Sequence, residues 1–335
     1  MKKALTSLVV LLALAALAAC GEKEERSSAP RAERLDLVLD YFPNADHVGI
    51  YAAIAGGDFR KVGLEVKPRT PSDPAAPLNL LASGRADLAI SYEPEVLLAR
   101  DRGLRVVSVG AIVQRPLTSI MALGSARIDD VRDLRGKKVG TAGIPYQAAY
   151  LDTILQRAGV NPNSVDRIDV GFNLVPAMLS TRVDATLGSF WNYEGVELRQ
   201  RKRRPTIIPV DRVGVPTYNE LVIVARQQDA GRRGDRIRRF MRGLTAGYEA
   251  AREDPARAVG QLLKANPDLT RRLQLASVRA TMPVFFPRDD DRPFGFQDPR
   301  EWDAYGRWMY DNELLRNPPR ANRALTNEFL PGQGI

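Results

Sequence analysis

Short apolar runs and segments of helical period alternate along the first two thirds of the chain. Residues 35–40 read as a strand, and 45–55 carry the period of a helix that Gly56-Gly57 can end. Strands follow at 64–68 and 86–91, helices at 77–83 and 95–101. Residues 105–112 are continuously apolar, as in a buried parallel strand. This βαβα order predicts an α/β fold with mostly parallel sheets. After Ala126 the pattern restarts, with strands at 137–140, 166–170 and 183–188 and helices at 147–158 and 175–181. Residues 219–225 form a further strand, a plausible return crossover, and 236–315 are largely helical. In that last part Trp302, Tyr305, Trp308 and Met309 share one helix face, which predicts packing rather than a ligand site.

The restart contains a weak internal repeat. SGRADLAISYE (83–93) resembles STRVDATLGSF (180–190): a small residue, Arg, an apolar residue, Asp, then a strand opening into an aromatic loop. The chain also exceeds the usual size of a single core. Two α/β lobes are therefore expected, lobe 1 from 35–122 plus 225–335 and lobe 2 from 123–224.

Residues 1–19 read as an export signal: Lys2 and Lys3 precede a short apolar stretch, too short for a comfortable membrane span. Leu17-Ala18-Ala19-Cys20-Gly21 looks like a lipobox, which makes Cys20 the lipidated residue. Cys20 is the only cysteine of the 335 residues, which excludes disulfides and cysteine-rich zinc sites. Residues 20–34 read as a flexible tether. Removing the signal lowers the formal charge from +9 to +7, since it takes away Lys2 and Lys3. Arginine runs at 201–204 and 232–242 lack interleaved aromatics, so solvated faces are favoured over nucleic acid. Anionic lipid near the anchor is a lesser alternative.

The only histidine, His47, lies in DYFPNADHVGIYAA (40–53), where the first strand gives way to a helix. Ligands of open α/β sheets bind beyond the carboxyl ends of strands. Tyr41, Asn44 and His47 should line such a cleft with Tyr92, Glu93, Gln114, Tyr146, Trp191, Tyr193 and Glu194, and Tyr218 adds to the aromatic wall. Asp46 is a plausible helix N-cap. Aromatic walls with a few amide, imidazole and carboxylate groups suit a flat, hydrogen-bonding heteroaromatic. For His47 two readings stand side by side: a ligand contact, or a structural cap of the turn. Enzyme chemistry has candidates in His47 with Asp46 and Glu93 with Glu194. There is no nucleophile elbow, zinc motif or phosphate loop, so no catalytic residue, metal or cofactor is expected.

The 40–53 stretch is similar to the signature of periplasmic binding proteins for thiamine pyrimidine precursors, D-[WY]-x-P-N-x-x-H-x-G-[IL]-Y-x-A. These belong to a larger group with alkanesulfonate- and riboflavin-type receptors of ABC importers. Further matching stretches are GGDFRKVGLEV (56–66), SGRADLAISYEPE (83–95), VQRPLTSIMAL (113–123), DLRGKKVGTAGIPYQ (133–147), VDATLGSFWNYEG (183–195) and GVPTYNELV (214–222). The resemblance implies a type II periplasmic-binding fold: two α/β lobes, a two-strand hinge, and closure on the ligand. It implies a non-enzymatic solute receptor, lipid-anchored in the cell envelope and facing the periplasm or exterior, which serves an ABC permease and its ATPase. By resemblance, Tyr41, Asn44, His47 and Glu194 hold an aminopyrimidine. Tyr41 stands where tryptophan is common, and the 190–193 loop is unusually aromatic, so riboflavin or another flat heteroaromatic or sulfonate ligand is the alternative. A pyrimidine-forming enzyme shares the fold but uses a cysteine-rich motif, and Cys20 stands alone here.

Overall fold

The computed structural model describes residues 32–332. The expected signal, Cys20 and most of the tether lie outside the described residues. Ten strands make two five-stranded sheets. The first holds β1 (Glu33–Val38), β2 (Leu64–Arg69), β3 (Leu88–Ser91), β4 (Val106–Val113) and β10 (Leu221–Arg226), in the order β2-β1-β3-β10-β4. The second holds β5 (Thr118–Leu123), β6 (Lys138–Thr141), β7 (Asp166–Asp169), β8 (Ala185–Phe190) and β9 (Pro205–Pro209), in the order β7-β6-β8-β5-β9. The sheets repeat one topology: three parallel strands, then an antiparallel strand delivered from the other half of the chain.

The repeat has a physical basis. Asp87, just before β3, accepts from the Asp36 N–H of the neighbouring strand at 2.9 Å. Asp184, just before β8, accepts from the Lys138 N–H at 2.8 Å. Each aspartate fixes the register of a central strand against its parallel neighbour.

Several expectations change. The tether was expected to reach residue 34, but Glu33 and Arg34 already pair with Leu64 and Glu65 in β1. β5 falls in the second sheet and β10 in the first, which moves the crossings to Gln114–Leu117 and to the segment before Leu221. β5 and β9 did not stand out in the apolar pattern. β9 is a half-buried edge strand that begins and ends in proline, a position that tolerates a missing N–H. β4 is buried throughout, yet its only strand partner among the described residues is antiparallel β10, with one further bridge from Ser108 to Leu325. Its continuous apolar character comes from coverage of its outer edge by the C-terminal segment. Ala111 N donates to the Gly295 carbonyl at 2.8 Å, and Thr326 N to the Ser108 carbonyl at 2.8 Å.

The helix after β1, Val48–Gly56, is buried at Val48 through Ala53 and lies against the long helix Gly234–Glu253. The backbones meet so closely that a Cβ on Gly247 would sit 2.0 Å from the Gly49 carbonyl. The arginine run of the long helix is partly structural: Arg236 reaches Asp87 at 2.8 Å and the Arg34 carbonyl. Trp302, Tyr305 and Met309 are buried on the helix Pro299–Asp311, as their spacing predicts, with Trp308 half-buried beside them.

Candidate functional site

A cleft of about 410 Å³, including its open mouth, lies where the carboxyl ends of both sheets face each other. The first lobe contributes Asp40, Tyr41, Asn44, Asp46 and Tyr92, and the second adds Tyr146, Gln147, Phe190, Tyr193 and Glu194 among others. All follow strands β1, β3, β6 or β8, or in the case of Phe190 end one, where the chain leaves the sheet and its backbone groups point outward.

The Pro43-Asn44 turn is built from its own side chains. Asn44 Oδ1 accepts from the Asp46 N–H at 2.8 Å, and Asn44 Nδ2 donates to the Phe42 carbonyl at 3.1 Å. His47 Nδ1 accepts from the Asn44 N–H at 3.2 Å. The ring proton therefore sits on Nε2, which donates to Asp40 Oδ1 at 2.8 Å. Tyr92 Oη donates to the other Asp40 oxygen at 2.9 Å. His47 is fully buried and does not line the cleft. Both ring nitrogens are engaged within the protein, an arrangement that fits the structural reading of His47. Asp40 takes its place at the cleft wall; being the first residue of the signature, it was open to notice.

At the mouth, Tyr41 packs edge-on to Phe172 of the second lobe at 4.6 Å between centroids, and Phe42 lies 6.1 Å from Tyr193. Deeper in, Tyr92 and Tyr146 meet across the lobes at 5.7 Å. Gln147 Oε1 accepts from the Ala142 N–H at 2.8 Å. Gly188 leaves room for that side chain: its φ is +110°, and a Cβ there would lie 2.4 Å from Gln147 Nε2.

Three acidic groups stand in or beside this space. Glu194 Oε2 accepts from the Phe190 N–H at 2.7 Å, yet burial pushes its carboxyl up to about 8. Asp46 is completely buried and is pushed up to about 7 by burial, opposed by hydrogen bonds from Thr281 and Asn192. Asp40 carries the two bonds already described. The sequence offered Asp46 as a cap and as a partner of His47 rather than as a cleft acid, and it did not single out Gln147 or Phe172; such groups are found by their position past a strand end, not by any pattern.

Four of the expected ligand residues do not line the cleft in this structure and bond at or beside the crossing segments. Glu93 Oε2 accepts from the Asn219 N–H at 2.7 Å. Gln114 N donates to the Val284 carbonyl at 2.8 Å. Tyr218 Oη donates at 3.1 Å to Glu220. Trp191 does not line the cleft, and its Nε1 donates to the Pro116 carbonyl at 3.0 Å. They too follow strands or precede one, which is why the pattern could not separate them from the cleft. Among the described residues, no group of three or more His, Cys, Asp or Glu side chains is arranged to hold a metal ion. No described helix is long and apolar enough to cross a membrane.

Comparison with known proteins follows the same lines. A family model described as NMT1/THI5 like matches residues 44–258. The formylaminopyrimidine-binding protein of Halalkalibacterium halodurans is 34% identical over 323 residues, 95% of this chain and 97% of that protein. A 4-amino-5-hydroxymethyl-2-methylpyrimidine phosphate synthase of Legionella pneumophila is 24% identical, over 89% of this chain and 92% of its own. Among solved structures, the alkanesulfonate-binding protein of Xanthomonas axonopodis pv. citri superposes with a TM-score of 0.67 at 18% identity, covering 88% of this chain and 98% of that one. This likeness shows the fold, the periplasmic-binding arrangement implied by the sequence resemblance.

Proposed function

The chain belongs to the NMT1/THI5-like family, and we propose that within it this protein is a solute receptor for an aminopyrimidine. The observation that carries the reading is Glu194: a carboxyl pushed up to about 8, facing a small aromatic-walled cleft between two lobes. In its acid form it donates through O–H and accepts through C=O, side by side. A 4-aminopyrimidine edge offers the complement, a ring nitrogen beside an amine. Rings such as Tyr41 and Tyr193 supply flat walls for the heterocycle. The name of the relative 34% identical to this chain supports the same ligand class.

Receptor rather than synthase is the reading favoured by that relative and by the absence of any cysteine beyond Cys20. Delivery to an ABC permease with its ATPase and anchoring through a lipid on Cys20 complete the proposal, in the cell envelope outside the cytoplasm. Calorimetric titration with formylaminopyrimidine, 4-amino-5-hydroxymethyl-2-methylpyrimidine and riboflavin tests it. Binding of an aminopyrimidine, recovered unchanged, is expected. Riboflavin binding alone, or catalytic turnover of the pyrimidine, overturns it.

A further inference from the structure

Asp46 is the one cleft-lining acid shared between the two lobes through a single oxygen. Its Oδ1 accepts from Asn192 Nδ2 of the second lobe at 2.7 Å. Thr281 Oγ1 lies 3.2 Å from the same oxygen but also 2.8 Å from the Ser277 carbonyl, and it has one proton to give. Its backbone is fixed too: the N–H donates to Asn44 Oδ1 at 2.8 Å and the carbonyl accepts from Tyr248 Oη at 2.5 Å. The carboxyl thus cannot swing away. Its second oxygen, Oδ2, is buried and has no hydrogen-bond partner among the described residues, while the residue lines the cleft. A buried carboxylate oxygen without a donor is costly to keep.

We infer that Asp46 Oδ2 is a specificity-determining acceptor that takes a second hydrogen-bond donor of the ligand, separate from the edge read by Glu194. Asp46 comes from the turn after β1 and Glu194 from the loop after β8, so the two carboxyls approach a ligand from opposite lobes. The ligand class is therefore narrower than a bare aminopyrimidine. It is an aminopyrimidine that carries a second N–H or O–H donor on a side arm, away from the edge read by Glu194. Because Oδ1 of the same carboxyl holds Asn192, a ligand that engages Oδ2 also stabilises the contact between lobes. This inference rests on the pyrimidine reading and sharpens it.

The test compares two ligands on three proteins. The ligands are 4-amino-2-methylpyrimidine carrying at C5 either a formamidomethyl arm or a formyloxymethyl arm, which differ by an N–H replaced by an oxygen. The native protein should bind the amide at least about tenfold more tightly, since the ester turns a lone pair toward Oδ2. Asp46→Asn, able to face the arm with an amide N–H, should bring the preference within about threefold or reverse it. Asp46→Ser, which withdraws the group while leaving Asn192 a polar neighbour, should erase the preference and serves if the asparagine variant does not fold. The inference is overturned if the native protein shows no preference, if either variant keeps it, or if both variants weaken the two ligands alike. A native protein that binds neither ligand overturns the pyrimidine reading itself, and the inference with it.

Discussion

Glu194 makes the sharpest claim at the scale of one residue. Its carboxyl is pushed up to about 8, above the ordinary glutamate value, with burial the largest cause. If the acid form of Glu194 holds the ligand, its contribution to affinity is level up to about pH 7 and falls as the free site loses its proton. Above about 8 each further pH unit should cost close to a tenfold loss, because binding must then take up a proton. Glu194→Gln keeps a donor beside an acceptor, so it should bind within about threefold of the native protein at pH 7 and flatten the profile. Glu194→Ala should lose roughly tenfold to a hundredfold. Calorimetric titration between pH 6 and 9 checks all three, and affinity that rises through pH 8 would show the carboxylate to be the binding form. His47 makes the opposite kind of claim. His47→Ala strips a partner from Asp40 and leaves the Asn44 N–H unpaired, costing about 2–4 kcal/mol of stability. Thermal unfolding should reveal this; a direct ligand contact would lower affinity with little change in melting temperature. The sequence could not choose between these roles, because a histidine in a strand-to-helix turn has the same neighbours in either case. What decides is where its two nitrogens point, and the backbone N–H of Asn44 and the carboxylate of Asp40 set that only in three dimensions.

Among elements, the two crossing segments matter most, and Glu220 ties them together. Its Oε2 accepts from the N–H groups of Leu117 and Thr118 at 2.6 and 2.8 Å in one crossing and from Tyr218 Oη at 3.1 Å in the other. Its Oε1 accepts from Thr118 Oγ1 at 2.9 Å. Burial still outweighs these donors and pushes the carboxyl up to about 7. A folded-state value above the unfolded one means that the native state holds its proton longer. The contribution of Glu220 to stability is then greatest near pH 4, falls as pH rises toward 7, and is level above. Glu220→Gln can accept the three donors with its oxygen and give an N–H to Thr118 Oγ1. It should therefore match the native protein near pH 4 and exceed it by on the order of 2–3 kcal/mol at pH 8. Denaturant melts at the two pH values check this; an equal deficit at both would mean that Gln fails to replace the carboxyl in the hinge. The alternation of strands and helices was readable because each apolar run is short and each helix has a distinct period. The hinge was not. Glu93, Gln114 and Tyr218 adjoin strand ends as the cleft residues do, and only pairing of β5 and β10 with the opposite sheets shows that the chain crosses between lobes beside them.

For the whole molecule, the question is what holds the lobes together around the cleft. Asn192 of the second lobe donates to Asp46 at 2.7 Å and to Thr281 at 2.6 Å, both in the first. Tyr193 Oη accepts from Gln274 Nε2 at 3.0 Å, and the hydroxyls of Tyr150 and Tyr305 are bonded to each other. These polar links add to the aromatic contacts Tyr41–Phe172, Phe42–Tyr193 and Tyr92–Tyr146, and each can exchange for water when the interface opens to admit and release a ligand. A single net hydrogen bond is worth about 1 kcal/mol. Removing one therefore moves a balanced open–closed equilibrium by about fivefold. Gln274→Leu and Tyr150→Phe each delete one link without touching Asp46 or Glu194. Each should raise the apparent Kd about threefold to fivefold for every ligand that binds, with no change in the ranking of ligands, because only the fraction of closed molecules falls. Small-angle scattering should show the same variants with a larger radius of gyration without ligand and the native radius at saturation. If affinity drops while the scattering stays native throughout, those side chains act on the ligand itself rather than on closure, and the interlobe links are not the clasp described here.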